Sequence, residues 1–330
     1  MKKLWIVICL VCIAALLVSC SKREEKSTTG GQVAGEKQAH VAFVTNGVSD
    51  FWTIAEAGIR DAERKFNCKC DVLKPTSGTA SEQKRILEDL VVRGVSGIAI
   101  SPVNPKKVDM LDRAASKVNL ICMDSDAKDS KRLCYVGTSN YDAGKAAGKE
   151  LMKAIPNGGK VMVFVGTMDA QNAADRFRGI KDALKEANNT KIQIIDVMTD
   201  GMDHMKARAN VEDTLVRYPD IAALVGLWSY NGPAIVSAVK AANKVGKVKI
   251  VCFDEDKATL TGVKDGSIFS TIVQKPYRIG YDSVRVLAAL ERGDKSVIPP
   301  NKIVNTGFEV INKNNVDRFT AEFKKLLGKK

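Results

Sequence analysis

The sequence predicts an α/β protein made of two similar lobes, each a parallel sheet with helices on both faces. Strand-like and helix-like patterns alternate from residue 40 onward, and the order repeats in the second half of the chain. Segments 119–126 and 249–256 are nearly alike, because each is an apolar run with a Cys two places before the acidic residue that ends it, Asp124 or Asp254. Such runs are typical of strands that are buried on both faces.

The first half contains the pattern of four strands and three helices. Residues Ala55, Ile59, Ala62 and Phe66 share one face of a predicted helix, and short apolar runs flank it. The predicted strands are 41–44, 70–73, 98–100 and 120–123, and the predicted helices are 54–66, 82–92 and 108–115. This strand–helix–strand alternation predicts a parallel sheet with covering helices.

The second half repeats this organisation. Its predicted strands are 161–165, 192–197, 222–226 and 249–253, and its predicted helices are 175–186, 207–216 and 234–242. Matching strand residues are 121, 126 and 130 positions apart, and these pairs are Phe43 with Phe164, Ala99 with Val225, and Cys122 with Cys252. Three offsets this similar indicate two lobes of one architecture.

The N-terminus has the pattern of an export signal. Lys2 and Lys3 precede an apolar stretch at 4–18, which is shorter than the ~20 residues that a membrane-spanning helix needs. The stretch ends in Ser19 and Cys20 and resembles a bacterial lipobox, in which Cys20 becomes the lipidated first residue of the mature chain. We therefore expect a lipoprotein signal at 1–19 and an exported protein, periplasmic or on the cell surface, anchored to a bilayer through Cys20. An ordinary signal with an incidental Cys is the alternative.

Residues 20–39 are polar and rich in Gly, Ser and Thr, so we expect a flexible tether there. The formal net charge of the chain is +13. Lys and Arg are spread along the sequence without interleaved aromatic residues, so the charge does not predict nucleic-acid binding. A solvated basic surface is the preferred interpretation, and attraction to an anionic membrane or a charged partner is the alternative.

Five Cys remain after residue 20, an odd number that cannot all pair within the chain. Cys122 and Cys252 lie inside matching predicted strands, where a Cys behaves as a small buried apolar residue. Cys68, Cys70 and Cys134 are compatible with a disulfide, and the sequence does not choose between them.

The sequence provides little support for nucleotide binding. Gly144 and Gly148 have the spacing GxxxGK, which is one residue short of a phosphate loop, and no Ser or Thr follows Lys149. We interpret this segment as a helix that is capped by Asn140 and uses glycine to approach a neighbour closely.

Catalysis has little support either. Only two histidines occur, His40 at the tether and His204 in a loop, and Asp203 is better explained as a helix N-cap. Metal-ligand spacings and hydrolase motifs are missing from the sequence. We therefore expect a protein without enzymatic activity, cofactor or metal.

Recognition is better supported, since six residues map to the carboxyl ends of predicted strands, where open parallel sheets bind ligands. They are the acidic pair Asp124 and Asp254, the tryptophans Trp52 and Trp228, and Arg176 and Gln274. Flat aromatic faces pack on the C–H faces of a sugar ring, and charged acceptors bind its hydroxyl groups. The sequence therefore predicts a monosaccharide held between two lobes.

These residues resemble those of the periplasmic sugar-binding proteins of ABC importers, the ribose-binding group of the type I fold, over residues 40–316. Asp50-Phe51-Trp52 is similar to the aromatic pair of that family, residues 90–102 to its strand that leads to the polar residue Ser101, and 274–276 to its hinge glutamine. Asp124, Arg176 and Asp254 match its acidic residues and its arginine. The resemblance implies a ligand set of Ser49, Asp50, Phe51, Trp52, Ser101, Asp124, Arg176, Trp228, Tyr230, Asn231, Asp254 and Gln274.

The resemblance also implies a monomer that closes on its sugar and delivers it to an ABC permease in the inner membrane. In that family three strands form a hinge between lobes, and we place the crossings near 139–140, 274–276 and 303–306. The N-terminal lobe is then 40–139 plus 275–303, the C-terminal lobe 140–274 plus 304–316, and 317–330 a basic tail.

Departures from the family affect the choice of sugar. Ser49-Asp50 replaces the usual Asn-Pro, Ser125 stands where ribose binders carry Arg, and Tyr230-Asn231 stands where they carry Asn-Asp. The two tryptophans favour a flatter or larger pyranose. Two other functions are alternatives: a sensory ectodomain that presents a sugar or furanone-like signal to a receptor, and an exported carbohydrate-active enzyme using Asp124 and Asp254.

Overall fold

Two six-stranded sheets covered by helices make up the fold. The computed structural model describes residues 38–328, and its two parallel-dominated sheets confirm the predicted fold class. The predicted signal at 1–19, the lipidation site Cys20, nearly all of the predicted tether and the last two lysines lie outside the described residues.

The first sheet is built from the N-terminal third of the chain and one late strand. Its strands are β1 (Ala39–Val44), β2 (Cys68–Leu73), β3 (Gly97–Ile100), β4 (Asn119–Met123), β5 (Tyr135–Gly137) and, from the late segment, β11 (Ile303–Asn305). Its helices are α1 (Asp50–Phe66), α2 (Ala80–Val92), α3 (Val108–Ala115) and, again from the late segment, α9 (Pro276–Glu291).

The second sheet takes the middle of the chain. Its strands are β6 (Gly159–Val165), β7 (Ile192–Thr199), β8 (Ile221–Gly226), β9 (Lys249–Phe253), β10 (Ser270–Val273) and β12 (Glu309–Asn312). The helices are α4 (Asn140–Ala154), α5 (Gln171–Glu186), α6 (His204–Arg217), α7 (Asn231–Ala241), α8 (Lys257–Asp265) and α10 (Val316–Leu326).

The two sheets share one strand order. The first is β11-β5-β4-β3-β1-β2, and the second is β12-β10-β9-β8-β6-β7. All pairings are parallel except β10 with β12, which is antiparallel. The apolar side chains of the strands lie in cores on both faces of each sheet. In the first sheet, α1 and α9 pack against one face, and α2 and α3 pack against the other. Helices α4 and α5 cover one face of the second sheet, and α6, α7, α8 and α10 cover the other.

The chain passes between the sheets at three places. It leaves β5 for α4, returns from β10 to α9, and passes from β11 to β12. Strand β11 pairs with the first sheet as far as Asn305, so the predicted lobe boundary after residue 303 falls two residues too early. Helix α10 begins at Val316, which belongs to the second sheet's core together with the partly buried Phe319, so the predicted basic tail forms a helix as far as Leu326 and packs by its first turn.

The helix at 140–154 corrects one expectation and confirms another. Ser139 is the N-cap, and the side chain of Asn140 is turned inward, where its Nδ2 donates to the carbonyl of Asp124 over 2.9 Å. The prediction that Asn140 caps the helix is therefore wrong. A methyl group on Gly144 would lie 2.2 Å from the backbone oxygen of Arg176, so glycine does permit the close approach of α4 to α5.

All five described cysteines are free and buried, so the structure contains no disulfide within residues 38–328. Cys122 and Cys252 lie in the matching strands β4 and β9, as predicted. Asp203 is the N-cap of α6, as predicted, with its carboxylate accepting from the N–H groups of Met205 and Lys206. Within the same described range, every helix is too short or too polar to cross a membrane.

Candidate functional site

A small cavity lies between the carboxyl ends of the two sheets. Its wall combines residues that follow strands of the first sheet with residues that follow strands of the second. The lining residues are Asn46, Gly47, Val48, Ser49, Phe51, Trp52, Asp124, Asn172, Arg176, Met202, Trp228, Ser229, Tyr230, Asp254 and Gln274.

Asp124 follows β4 directly and is held in an uncommon backbone conformation. Its φ is 60°, and its N–H donates to the carbonyl of Val136 in β5 over 3.1 Å. One carboxylate oxygen, Oδ2, accepts from Ser101 Oγ at 2.8 Å and from Asn172 Nδ2 at 3.1 Å. Because Asn172 lies in α5, this second bond joins the two lobes.

Asp254 occupies the equivalent place after β9. Its φ is 70°, and its N–H donates to the carbonyl of Ile272 in β10 over 3.0 Å. Its Oδ1 accepts from Gln274 Nε2 at 3.0 Å, and the carbonyl oxygen of Gln274's side chain is left without a partner. The strand end therefore aims the carboxylate into the cavity together with an unpaired acceptor.

Arg176 has the largest fully buried side chain among the described residues, and it lines the same cavity as the two carboxylates. Its Nε donates to Asn140 Oδ1 at 2.8 Å, its Nη1 donates to the carbonyl of Leu227 at 2.6 Å, and the guanidinium stacks 4.4 Å from the ring centre of Phe253. Its Nη2 is buried without a partner. The arginine is thus fixed on three sides with one donor left for the cavity.

The two tryptophans line the cavity in different ways. Trp52 is 3% exposed, packs edge-on against Phe43 and Phe51, and donates from Nε1 to Asn46 Oδ1 at 3.1 Å. Trp228 is 7% exposed, and its Nε1 is buried without a partner. The Trp228 indole therefore retains a free donor at the cavity, and the Trp52 indole is largely part of the first lobe's core.

Three predicted site residues do not line the cavity. Ser101 is buried behind Asp124 and supports its carboxylate, and Asn231 lies behind Trp228, whose backbone N–H donates to Asn231 Oδ1 at 3.0 Å. Asp50 is exposed and borders an outer groove at the cavity mouth, together with His204 and Asp256. The remaining predicted residues, including Ser49, Phe51, Tyr230 and Gln274, are brought together at the cavity wall.

Several lining residues were missed by sequence reasoning. Asn172 stands four residues before Arg176 on α5, a helical spacing that places both on one face and that was available in the sequence. Met202 follows β7, another strand that ends at this rim. Asp200, just before it, is buried and accepts from Tyr230 Oη at 2.6 Å and from Asn231 Nδ2 at 3.2 Å, so the predicted pair 230–231 acts partly through this unpredicted carboxylate.

Burial dominates the electrostatics of the site. Desolvation raises the pKa of Asp124 to about 6, against the opposing pull of the Arg176 guanidinium. The pKa of Asp254 is also raised by burial, and the same guanidinium opposes the shift. Two buried carboxyl groups thus share one positive charge, and hydrogen bonds from a bound molecule would relieve the cost of burying them.

The cavity wall also has four buried polar atoms without partners, and they differ in kind. Two are donors, Arg176 Nη2 and Trp228 Nε1, and two are acceptors, Asn172 Oδ1 and Gln274 Oε1. Buried polar atoms in native proteins are nearly always paired, so these four atoms are candidates to bind a polar ligand. A hydroxyl group donates one hydrogen bond and accepts others, so a molecule with several hydroxyl groups satisfies such a mixed set.

The chain is similar to known proteins over most of its length. Residues 41–295 match a family described as the periplasmic binding protein domain. The D-ribose/D-allose-binding protein of Pseudomonas aeruginosa is 24% identical over 310 residues, which cover 90% of this chain and 96% of that protein.

Solved structures show the same similarity. An ABC transporter solute-binding protein from Burkholderia graminis in complex with D-arabinose is 30% identical with a TM-score of 0.78, over 84% of this chain and 96% of the other. A chain of the XylFII–LytSN complex is 27% identical with a TM-score of 0.77, over 84% of this chain and 98% of the other.

Proposed function

The chain belongs to the periplasmic binding protein domain family, and we propose that it captures a monosaccharide in the cavity and delivers it to an ABC importer. The resemblance to periplasmic sugar-binding proteins that its motifs predicted is confirmed by the family match and the relatives. The single observation that carries the proposal for this chain is the set of four unpaired buried atoms, two donors and two acceptors, on the wall of one cavity.

The chemistry of the wall favours a neutral polyol over an ionic ligand. Asp124 and Asp254 each have one carboxylate oxygen outside the hydrogen bonds described above. A hydrogen bond that such an oxygen accepts from a ligand hydroxyl group contributes about 1.5–3 kcal/mol to binding. Trp228 contributes an indole with a free N–H, and Arg176 contributes one N–H of a guanidinium that is otherwise occupied. A carboxylate ligand would add a third negative charge beside one arginine, so a sugar fits this balance better.

Ligand titration tests the proposal. Trp52 and Trp228 are the only tryptophans after residue 5, so a sugar in the cavity should change the intrinsic fluorescence saturably. Pentoses and hexoses including D-ribose, D-allose and D-arabinose form the panel, and thermal unfolding is measured beside fluorescence. A binding sugar at 100 times its Kd raises the free energy of unfolding by about 2.7 kcal/mol. A panel that changes neither signal contradicts the proposal.

Two arginines on one helix provide the matched control. Arg176 is buried at the cavity, and Arg178 is exposed and paired with Asp175 over 2.8 Å. Arg176→Ala should abolish the fluorescence titration, and Arg178→Ala should leave it unchanged. Equal binding by both variants would remove Arg176 from the site, and circular dichroism reports whether Arg176→Ala is folded.

Membrane attachment and the partner complete the proposal. The lipobox-like end of the apolar stretch supports acylation at Cys20, so Cys20→Ser should release the exported protein from the membrane fraction.

Delivery predicts that sugar-loaded protein stimulates ATP hydrolysis by its permease. The matched XylFII–LytSN complex supports a second candidate, presentation of the bound sugar to a partner protein, and co-purification from envelope extracts with and without sugar separates the two. The relatives are named as binding proteins, which favours capture over catalysis.

A further inference from the structure

We propose that Met202 is a latch between the two lobes and sets how slowly the ligand leaves the cavity. Met202 follows β7 in the second lobe, and its side chain contacts Gly47 and Gly78, which follow β1 and β2 in the first lobe. The inference deepens the proposed function and rests on it, since the ligand in question is the proposed sugar.

The base of the latch is held rigidly. Met202 has a φ of 68°, a conformation that side-chain-bearing residues rarely adopt. Its N–H donates to Asp200 Oδ1 over 2.8 Å, and Asp200 is in turn held by the hydroxyl of Tyr230 and the amide of Asn231. Gly201 N–H donates to the carbonyl of Gly166 over 2.9 Å. The backbone from which the Met202 side chain projects is therefore held in place.

The first lobe presents a notch of matching shape, formed by two residues without side chains. A methyl group on Gly78 would lie 2.0 Å from Met202 Cε and 2.8 Å from its Sδ, and one on Gly47 would lie 3.0 Å from the Sδ. Since Gly78 also has a φ of 56°, the chain turns there in a conformation suited to glycine. A side chain at Gly78 would therefore displace the end of Met202 from this place, and one at Gly47 would crowd it.

Met202 also lines the ligand cavity, and Gly78 does not. One apolar side chain therefore contacts both the space for the sugar and the opposite lobe. When the lobes separate, the thioether returns to water and its burial is lost, so the contact favours the closed state. The ligand enters the open state and leaves through it, so the latch is expected to slow dissociation and to leave association nearly unchanged.

Two glycines of the first lobe provide a matched test. Gly78 faces Met202, and Gly94 has a similar φ of 72° with nothing within 4 Å of an added methyl group. Gly78→Ala and Gly94→Ala share the backbone cost of a side chain at positive φ, and only Gly78→Ala fills the notch. Stopped-flow fluorescence with the sugar that binds best measures the dissociation rate constant. Gly78→Ala should raise it about tenfold, because the two terminal groups of Met202, each about the size of a carbon, lose their burial against the first lobe. Gly94→Ala should match the wild type.

A double-mutant cycle shows whether the effect acts through Met202. Met202→Ala alone should also raise the dissociation rate constant about tenfold, because the latch is removed. Adding Gly78→Ala to Met202→Ala should then change little, since no thioether meets the new methyl group. Both effects should be confined to dissociation, a split that general loss of stability does not produce.

Several outcomes overturn the inference. Equal dissociation rates for Gly78→Ala and Gly94→Ala, or additive effects of Gly78→Ala and Met202→Ala, would each exclude a latch. If the sugar panel fails with the wild-type protein, the proposed function falls separately, and the latch is judged by small-angle scattering of ligand-free protein. The wild type and Gly94→Ala should then be more compact than Gly78→Ala, and three equal radii of gyration would refute the latch.

Discussion

Asp124 and Asp254 occupy equivalent positions in the two sheets, and their surroundings differ. Both follow the fourth strand of their lobe in chain order, with φ values of 60° and 70°, and both donate their N–H to the neighbouring strand. Asp124 accepts from two side chains, one of them the cross-lobe Asn172, and Asp254 accepts from Gln274. The repeated sheet thus determines where each carboxylate lies, and the loops that are not repeated determine what it binds.

The two tryptophans differ in the same manner. Trp52 is in the first turn of α1, so it packs into the first lobe's core and its N–H is satisfied by Asn46. Trp228 is in the loop between β8 and α7 and retains an unpaired N–H at the cavity. Position at the carboxyl end of a strand therefore does not by itself make a residue a ligand contact, because the local backbone decides which atoms face the cavity.

Removing each carboxylate's charge should have the largest effect and tests whether the two are equivalent. We expect Asp124→Asn and Asp254→Asn each to weaken sugar binding about a hundredfold, since a hydrogen bond to a charged acceptor is worth about 1.5–3 kcal/mol. Isothermal titration calorimetry of both variants measures this. Neither should lower the thermal midpoint of the ligand-free protein, because a buried charge is removed. Unchanged affinity in one variant would show that only the other carboxylate binds the sugar.

The pH dependence of binding should have a smaller effect and separates the two carboxylates. The pKa of Asp124 in the free protein is raised to about 6 by burial, and a sugar hydroxyl that donates to it stabilises the ionised form. Affinity should therefore be constant above pH 7 and fall about tenfold as the pH drops from 7 through 6 to 5. Asp124→Asn should show a shallower fall, left by Asp254, whose pKa is also raised. A profile identical to that of the wild type would contradict this assignment.

Replacing each tryptophan by phenylalanine should have the smallest effects. One replacement should lower mainly the affinity, and the other should lower mainly the stability. Trp228→Phe removes a free donor at the cavity, so we expect about a fivefold loss of affinity with little loss of stability. Trp52→Phe removes a buried hydrogen bond and core volume, so we expect about 1–3 kcal/mol of unfolding free energy to be lost with little change in affinity. Chemical denaturation and calorimetry on both variants measure this, and equal effects would refute the distinction.

The fold was largely predictable because strands and helices leave a local record. The alternation of strands and helices, the two-lobe repeat and the strand ends that carry Asp124, Asp254, Trp228 and Gln274 all follow from runs of apolar residues. Strands β5, β11 and β12 were not recognised, because each contains only two apolar residues, which adjoin a polar residue or glycine.

Sequence alone determined the architecture and the rim on which the site lies, because burial of neighbouring residues imposes a period that can be read along the chain. Only the tertiary structure decided that Asn140 holds Arg176 instead of capping a helix, that Trp228 and not Trp52 has a free donor, and that Met202 enters a notch between two glycines. These outcomes depend on contacts between side chains of different elements, often of different lobes. Such contacts depend on the three-dimensional approach of the elements and leave no period in the sequence.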